Sequence, residues 1–246
     1  PYRAGKGGNA VSAVYQRELK DYFQTMLGYV FIGAFLFLAG ILFAVNNILT
    51  RNAAFNTTLN DCIYVFMLTS PLLTMRLLAD EKRAKRDQLL LTSSLSLAQI
   101  VAGKYLAALS VFAVTIGLTF VYPVILLLLG SPSMVLILNG YFGFFLLGAA
   151  LLAVGVLVSS ITENQLSAAV GTYGFLLLFL TLDLLVSQVR SSWFSGVLQW
   201  FSVFRRFKPF QFGSFSVSSA VYYIVFSALF LFLSGMVMER RRWSGA

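Results

Sequence analysis

Six apolar stretches divide the chain, over 27–49, 62–79, 105–130, 135–158, 165–187 and 219–238. Each approaches the ~20 residues that a helix needs to cross the ~30 Å hydrocarbon core of a bilayer. No other feature constrains the fold as strongly. A membrane β-barrel would show short segments of alternating hydrophobicity, but runs such as Val124 to Leu129 are apolar on every face. The expected fold is an all-α polytopic membrane protein with six transmembrane helices. Charge supports it: 11% of the chain is charged, against about 25% in a soluble domain. The second stretch is the most polar, with Thr69, Ser70, Pro71, Thr74 and Arg76. One transmembrane domain is expected over 11–243, with 244–246 a tail. Residues 1–10 are polar and glycine-rich and read as a disordered tail or a cloning remnant. The first stretch is too long for a signal peptide and is followed by no small-residue cleavage site.

Loop charge sets the expected orientation. Thirteen of the eighteen Lys and Arg residues fall before span one, between spans two and three with Arg76 at the edge, or after span six. The positive-inside rule then puts both termini in the cytoplasm, as expected for a multi-pass protein of a bacterial inner membrane. The other side holds Arg51, Arg190, Arg205, Arg206 and Lys208. Two counts narrow the chemistry. There is no histidine, which removes His-based acid–base catalysis and the usual zinc and haem ligand sets. The single cysteine, Cys62, can form no intrachain disulfide and reads as a small buried hydrophobe. No G-x-x-x-x-G-K-[ST] phosphate-binding loop is present, so no ATP site is expected in this chain. The net charge of +9 is read as loop charge rather than as a nucleic-acid surface.

Two cytoplasmic segments stand out. Val11, Val14, Tyr15, Leu19, Tyr22 and Phe23 recur at helical spacing, with Arg17, Glu18, Lys20 and Asp21 mainly between them. An amphipathic interfacial helix or a plain basic anchor fits this pattern. The segment Asp80 to Gln99 opens with a dense charged run and continues into Leu89, Leu90, Leu91, Thr92, Ser93 and Ser94. It is a short helix facing both membrane and partner, or a solvated basic loop.

These pieces, taken in order, carry a resemblance. They are 13–23 with Leu27, Gly28 and Tyr29; 75–83; Leu89 to Ser93 with Ile100, Gly103 and Lys104; and 159–165 after span four. Together with six spans they resemble the ABC-2 type transporter permeases, and among them the gliding-motility GldF-like branch, over Ala13 to Trp243. The resemblance implies a type V exporter-like fold and a permease subunit of an ATP-driven exporter. Such subunits form the pathway as a dimer and bind no cofactor, while ATP and Mg belong to two copies of a separate ATPase. A second permease, identical or GldG-like, and membrane lipids are the other implied partners; nucleic acid is not. In the family the loop between spans two and three is a coupling helix that docks on the ATPase, beside the amphipathic N-terminal helix. Carried over residue by residue, coupling falls to Asp80, Glu81, Arg83, Arg86, Leu89, Leu90, Leu91 and Thr92, with Arg17 and Glu18. This chain departs from the family at Lys85 to Gln88, where a Gly-Thr-x-Glu stretch is common, and at Ser94, where the family has proline.

On the other side, Trp193, Val197, Trp200, Phe201 and Phe204 lie at i, i+4, i+7, i+8 and i+11, the stripe of a short outer interfacial helix. Arg205, Arg206 and Lys208 close it and can cap the helix, meet lipid headgroups or attract an anionic lipid or polymer in transit. Phe207, Phe210 and Gly213 match a Phe-x-x-Phe-x-x-Gly stretch that similar permeases carry before span six. Asp183, near the end of span five, is a pathway candidate or a partner of water or Arg190. Thr162 is expected to cap span five, with Gln165 three residues on. Asn46 and Asn47 end span one or mark a pathway mouth. Gly33 and Gly40, and Gly148 and Gly155, are two turns apart and can each admit a neighbouring helix. In the family, spans one and five of two copies face each other, so Gly33, Gly40, Gly171 and Gly174 are candidates for a pathway or dimer face, with packing inside the subunit as the alternative. An ion-coupled carrier usually shows internal repeats and mid-membrane charge, and neither is visible here. A membrane scaffold subunit is the remaining alternative; an intramembrane protease lacks its histidine or paired acids.

Overall fold

The computed structural model describes residues 8–79, 96–188 and 202–244. The described residues are helices joined by short turns, with no strand among them. Helix α1 is Gly8–Gln24, and α2 is Leu27–Phe43, extended by a π-helical turn over Ala44–Leu49. Then come α3 (Phe55–Thr74), α4 (Leu97–Thr119), α5 (Val121–Leu129), α6 (Met134–Ile161) and α7 (Gln165–Gln188). A 3-10 turn, Arg205–Phe207, leads into the short α8 (Lys208–Gln211), and α9 is Val217–Ser244. Five units are long and apolar enough to cross a membrane: Leu27–Leu49, Leu97–Leu128, Met134–Ile161, Gln165–Leu185 and Val217–Arg240. That is the make-up of a multi-pass membrane protein. The outside agrees, with Phe37, Ile41, Val170, Leu178, Ile224, Leu229 and Phe232 all exposed. Soluble monomers rarely present so continuous an apolar surface.

Two expected spans differ from what is observed. The second, read as 62–79, is a helix over Phe55–Thr74 followed by turns, and it is not among the five apolar units. Its first turns contain Asn56, Thr58 and Asp61, which read as loop but find partners at Gln211, Asn47 and Asn46. The third begins at Leu97, eight residues earlier than 105. Ser96 accepts from the Gln99 amide while the Gln99 side chain accepts from the Ser96 amide, and this reciprocal cap fixes the start of α4.

Helix α6 is the centre of the bundle. Most of its apolar length is buried, whereas less than half of each of the other four apolar units is. Its glycines allow close approach: a Cβ on Gly148 would lie 2.2 Å from the Phe112 ring, and one on Gly155 would lie 2.3 Å from Thr74 Oγ1. Phe31, Phe35, Phe66 and Phe112 interlock with its Phe144, the closest pair, Phe66 and Phe112, at 4.2 Å between centroids. Pro123 has no N–H to give the Thr119 carbonyl four residues back. The Tyr141 hydroxyl donates to that carbonyl instead, at 3.0 Å, which ties the α4–α5 break to α6.

Chain direction sorts the turns into two ends. The α1 end holds the feet of α3, α4, α6, α7 and α9. The far end holds the π-helical turn, the start of α3, the start of α6 and the segment around α8.

Candidate functional site at the junction of the N-terminal helix and the bundle

The N-terminal segment is helical, as α1, and its apolar side packs on the bundle. Its exposed residues include Gln16, Arg17, Lys20 and Asp21, while Tyr15, Leu19, Tyr22 and Phe23 are turned onto the bundle. Met26, at φ 59°, makes the left-handed corner between α1 and α2. A run of contacts ties α1 to the foot of α4. A Cβ on Gly103 would sit 2.9 Å from Val14 Cγ1, so the two backbones approach closely there because residue 103 has no side chain. Tyr15 Oη and Ser110 Oγ are 3.0 Å apart. Lys104 Nζ donates to Glu18 Oε1 at 2.8 Å, and both side chains are nearly out of contact with solvent, at 2% and 11% exposure. The Tyr22 hydroxyl donates to the Leu73 carbonyl in the last turn of α3. Burial first, and the neighbouring Glu18 second, hold the Tyr22 phenol well above its ordinary pKa, with Arg76 opposing them. One helix therefore holds the feet of both α3 and α4.

The same end anchors the chain on both sides of 80–95. The Ser159 hydroxyl of α6 accepts from the Leu78 and Ala79 amides at 3.1 and 3.2 Å, and Leu77, Leu78 and Ala79 are buried. The chain resumes at capped Ser96. Asp80, Glu81, Arg83, Arg86, Leu89, Leu90, Leu91 and Thr92 lie outside the described residues. Of the other two coupling candidates, Arg17 is exposed, whereas Glu18 faces inward and is spent on Lys104. The Thr162 hydroxyl donates back to the Val158 carbonyl of α6, and Asn164 Oδ1 accepts from the Leu166 amide in the first turn of α7.

The far end carries polar side chains bound to one another. Asn46 Nδ2 donates to Asp61 Oδ2 at 2.7 Å. Asn47 donates to the Asn52 carbonyl and accepts from Thr58, so it closes the turn between α2 and α3. Asn56 Nδ2 donates to the Gln211 carbonyl at 2.6 Å. Half-buried Asp183 accepts from the Ser202 hydroxyl; Arg190, its expected alternative, lies outside the described residues. So do Trp193, Val197, Trp200 and Phe201 of the expected aromatic stripe. Phe204, Arg205 and Arg206 are half-buried, and Phe207 and Phe210 are fully buried. Gly213, at φ +78°, makes the turn after α8, and its carbonyl accepts from Asn139 of α6.

The four glycine candidates divide. A Cβ on Gly40 would meet the Tyr122 hydroxyl and one on Gly171 would meet Val158, both within the chain, while one on Gly33 or Gly174 would meet nothing within 4 Å beyond its own helix among the described residues. Among the described residues no group of three or more Cys, Asp or Glu is placed to hold a metal ion. The sequence reading placed Tyr22 in the amphipathic pattern and Lys104 and Ser159 in the resemblance, but gave none of them a partner, and it passed over Asp61. A usable signal existed for Lys104: a lysine amid Ile100, Val101, Tyr105 and Leu106 requires an acid from elsewhere in the fold.

Compared with known proteins, the chain matches no family model, and no curated protein matches it in sequence.

Proposed function

We propose that this chain is the transmembrane permease subunit of an ATP-driven exporter of the ABC-2 type. It crosses the bacterial inner membrane six times with both termini in the cytoplasm, dimerises with itself or with a second permease, and is moved by two separate ATPase subunits. The observation that carries the reading is the α1 junction. An amphipathic helix is locked by a buried ion pair to the foot of α4 and by Tyr22 to the foot of α3, the two helices between which 80–95 runs. A segment held this way transmits a push to both helices together. ATP-driven closure of the partner would act on 80–95 and rock α3 and α4 between two arrangements of the bundle.

Helix α3 is the sixth crossing in this reading. Its composition is compatible with membrane depth because Asn56, Thr58, Thr69, Ser70 and Thr74 are buried among neighbours rather than turned to lipid. The open glycines Gly33 and Gly174 offer a face for a second copy. The test is purification of the native assembly in mild detergent, with its subunits identified by mass spectrometry. A stoichiometric subunit carrying a G-x-x-x-x-G-K-[ST] loop is expected. An assembly without an ATP-hydrolysing subunit contradicts the reading.

A further inference from the structure

Among the described residues no acid pairs with the basic cluster at the far end. Arg205, Arg206 and Lys208 fall within four residues, and from Leu184 to Met238 the sequence contains no Asp or Glu. Asp183 is the nearest acid along the chain, and it accepts from Ser202. Among the described residues it forms no ion pair with any of the three bases. The cluster is also held in place. Phe207 and Phe210, 1% and 0% exposed, plug the turn into the bundle and hold the arginines at its surface. The Arg206 guanidinium carbon stands 4.3 Å from the centroid of the Tyr222 ring, a cation–π contact that fixes the plane of the fork. Arg206 Nε is shut off from solvent and has no hydrogen-bond partner among the described residues. A guanidinium matches phosphate geometry bidentately. Beside this charge lies an exposed apolar shelf of Phe212, Phe215, Val217 and Val221, at the start of a helix apolar enough to cross a membrane. An anionic head over an apolar surface is the outline of a phospholipid at the edge of a bilayer.

We propose that Arg206, stacked on Tyr222 and flanked by Arg205 and Lys208, binds the phosphate of an anionic membrane lipid, with its acyl chain along Phe212, Phe215 and Val221. The site holds whether or not an ATPase drives the bundle, so failure of the exporter reading leaves it standing, and the reverse.

Native mass spectrometry of the delipidated full chain, titrated with phosphatidylglycerol, phosphatidylcholine or inorganic phosphate, tests it. The wild type is expected to retain phosphatidylglycerol severalfold better than phosphatidylcholine. Arg206→Gln is expected to lose about tenfold in that retention, the scale of one lost charge-assisted contact. Arg206→Lys, which keeps charge but loses the fork, should fall between them, and Arg51→Gln, on a different turn of the far end, should match the wild type. Should Arg206→Gln not fold, the lysine variant carries the comparison, read also as the rise in unfolding temperature on adding phosphatidylglycerol. Equal retention by the wild type and both Arg206 variants overturns the proposal. Displacement of the lipid by millimolar inorganic phosphate would mean that the site takes a free anion, and overturns the lipid assignment.

Discussion

Lys104 brings a positive charge into the bundle with 2% exposure, and Glu18 meets it from a helix 86 positions earlier in the chain. Truncating one member of such a pair strands the other, at a cost of about 3–5 kcal/mol, while replacing both by apolar residues of similar size can be nearly neutral. Lys104→Met and Glu18→Leu should therefore each lower the unfolding temperature in detergent sharply, and the double variant should recover much of the loss. Additive losses would show that the pair is not coupled. Tyr22 gives a pH signature. Its folded pKa is raised, so the contribution is fully present below the unfolded phenol value of ~10 and is lost as pH rises toward the folded value. Tyr22→Phe should be destabilised by about 1 kcal/mol at neutral pH, from the lost bond to the Leu73 carbonyl. Its stability should also fall less than the wild type's between pH 9 and ~11; parallel alkaline curves would contradict this. None of these partnerships could be read from local sequence, because each joins residues distant along the chain.

At the scale of elements, the apolar runs located the five long apolar helices well, and missed mainly the starts of α3 and α4. The start of α3 reads as a loop because Asn56, Thr58 and Asp61 are polar. It is helix because Gln211, Asn47 and Asn46 supply the partners that water would otherwise supply. The start of α4 was misread for the same reason, through Lys104. The glycine pair of α6 was legible as a packing face, but which helix it meets was not. Since a Cβ on Gly148 would lie 2.2 Å from Phe112, Gly148→Ala should cost about 1–3 kcal/mol through overpacking, and Phe112→Leu in the same chain should relieve it. A Cβ on Gly33 would meet nothing within 4 Å, so Gly33 should accept alanine without loss of stability. In the proposed dimer, Gly33→Leu should leave the monomer folded and reduce cross-linking between copies. Full destabilisation by Gly33→Ala in thermal unfolding would contradict the open placement.

The whole molecule is a bundle with two unlike ends. One gathers α1, the foot of α3 and the foot of α4 around a buried ion pair. The other carries the polar turn at Asn46 and Asn47 and the bases Arg205, Arg206 and Lys208, which no acid pairs with among the described residues. Amphipathic spacing made α1 legible, whereas its attachment to α4 depends on Gly103 lacking a side chain and on Glu18 facing inward. The central claim is that force enters through 80–95 and passes to the bundle at the α1 junction. ATP hydrolysis by the purified native assembly in nanodiscs, with and without Leu89, Leu90 and Leu91 changed to serine, tests it most directly. The account predicts that the ATPase subunit stays active alone but loses stimulation by the membrane subunit, by about tenfold, when the leucines are replaced. Unchanged stimulated hydrolysis in the triple variant would contradict it.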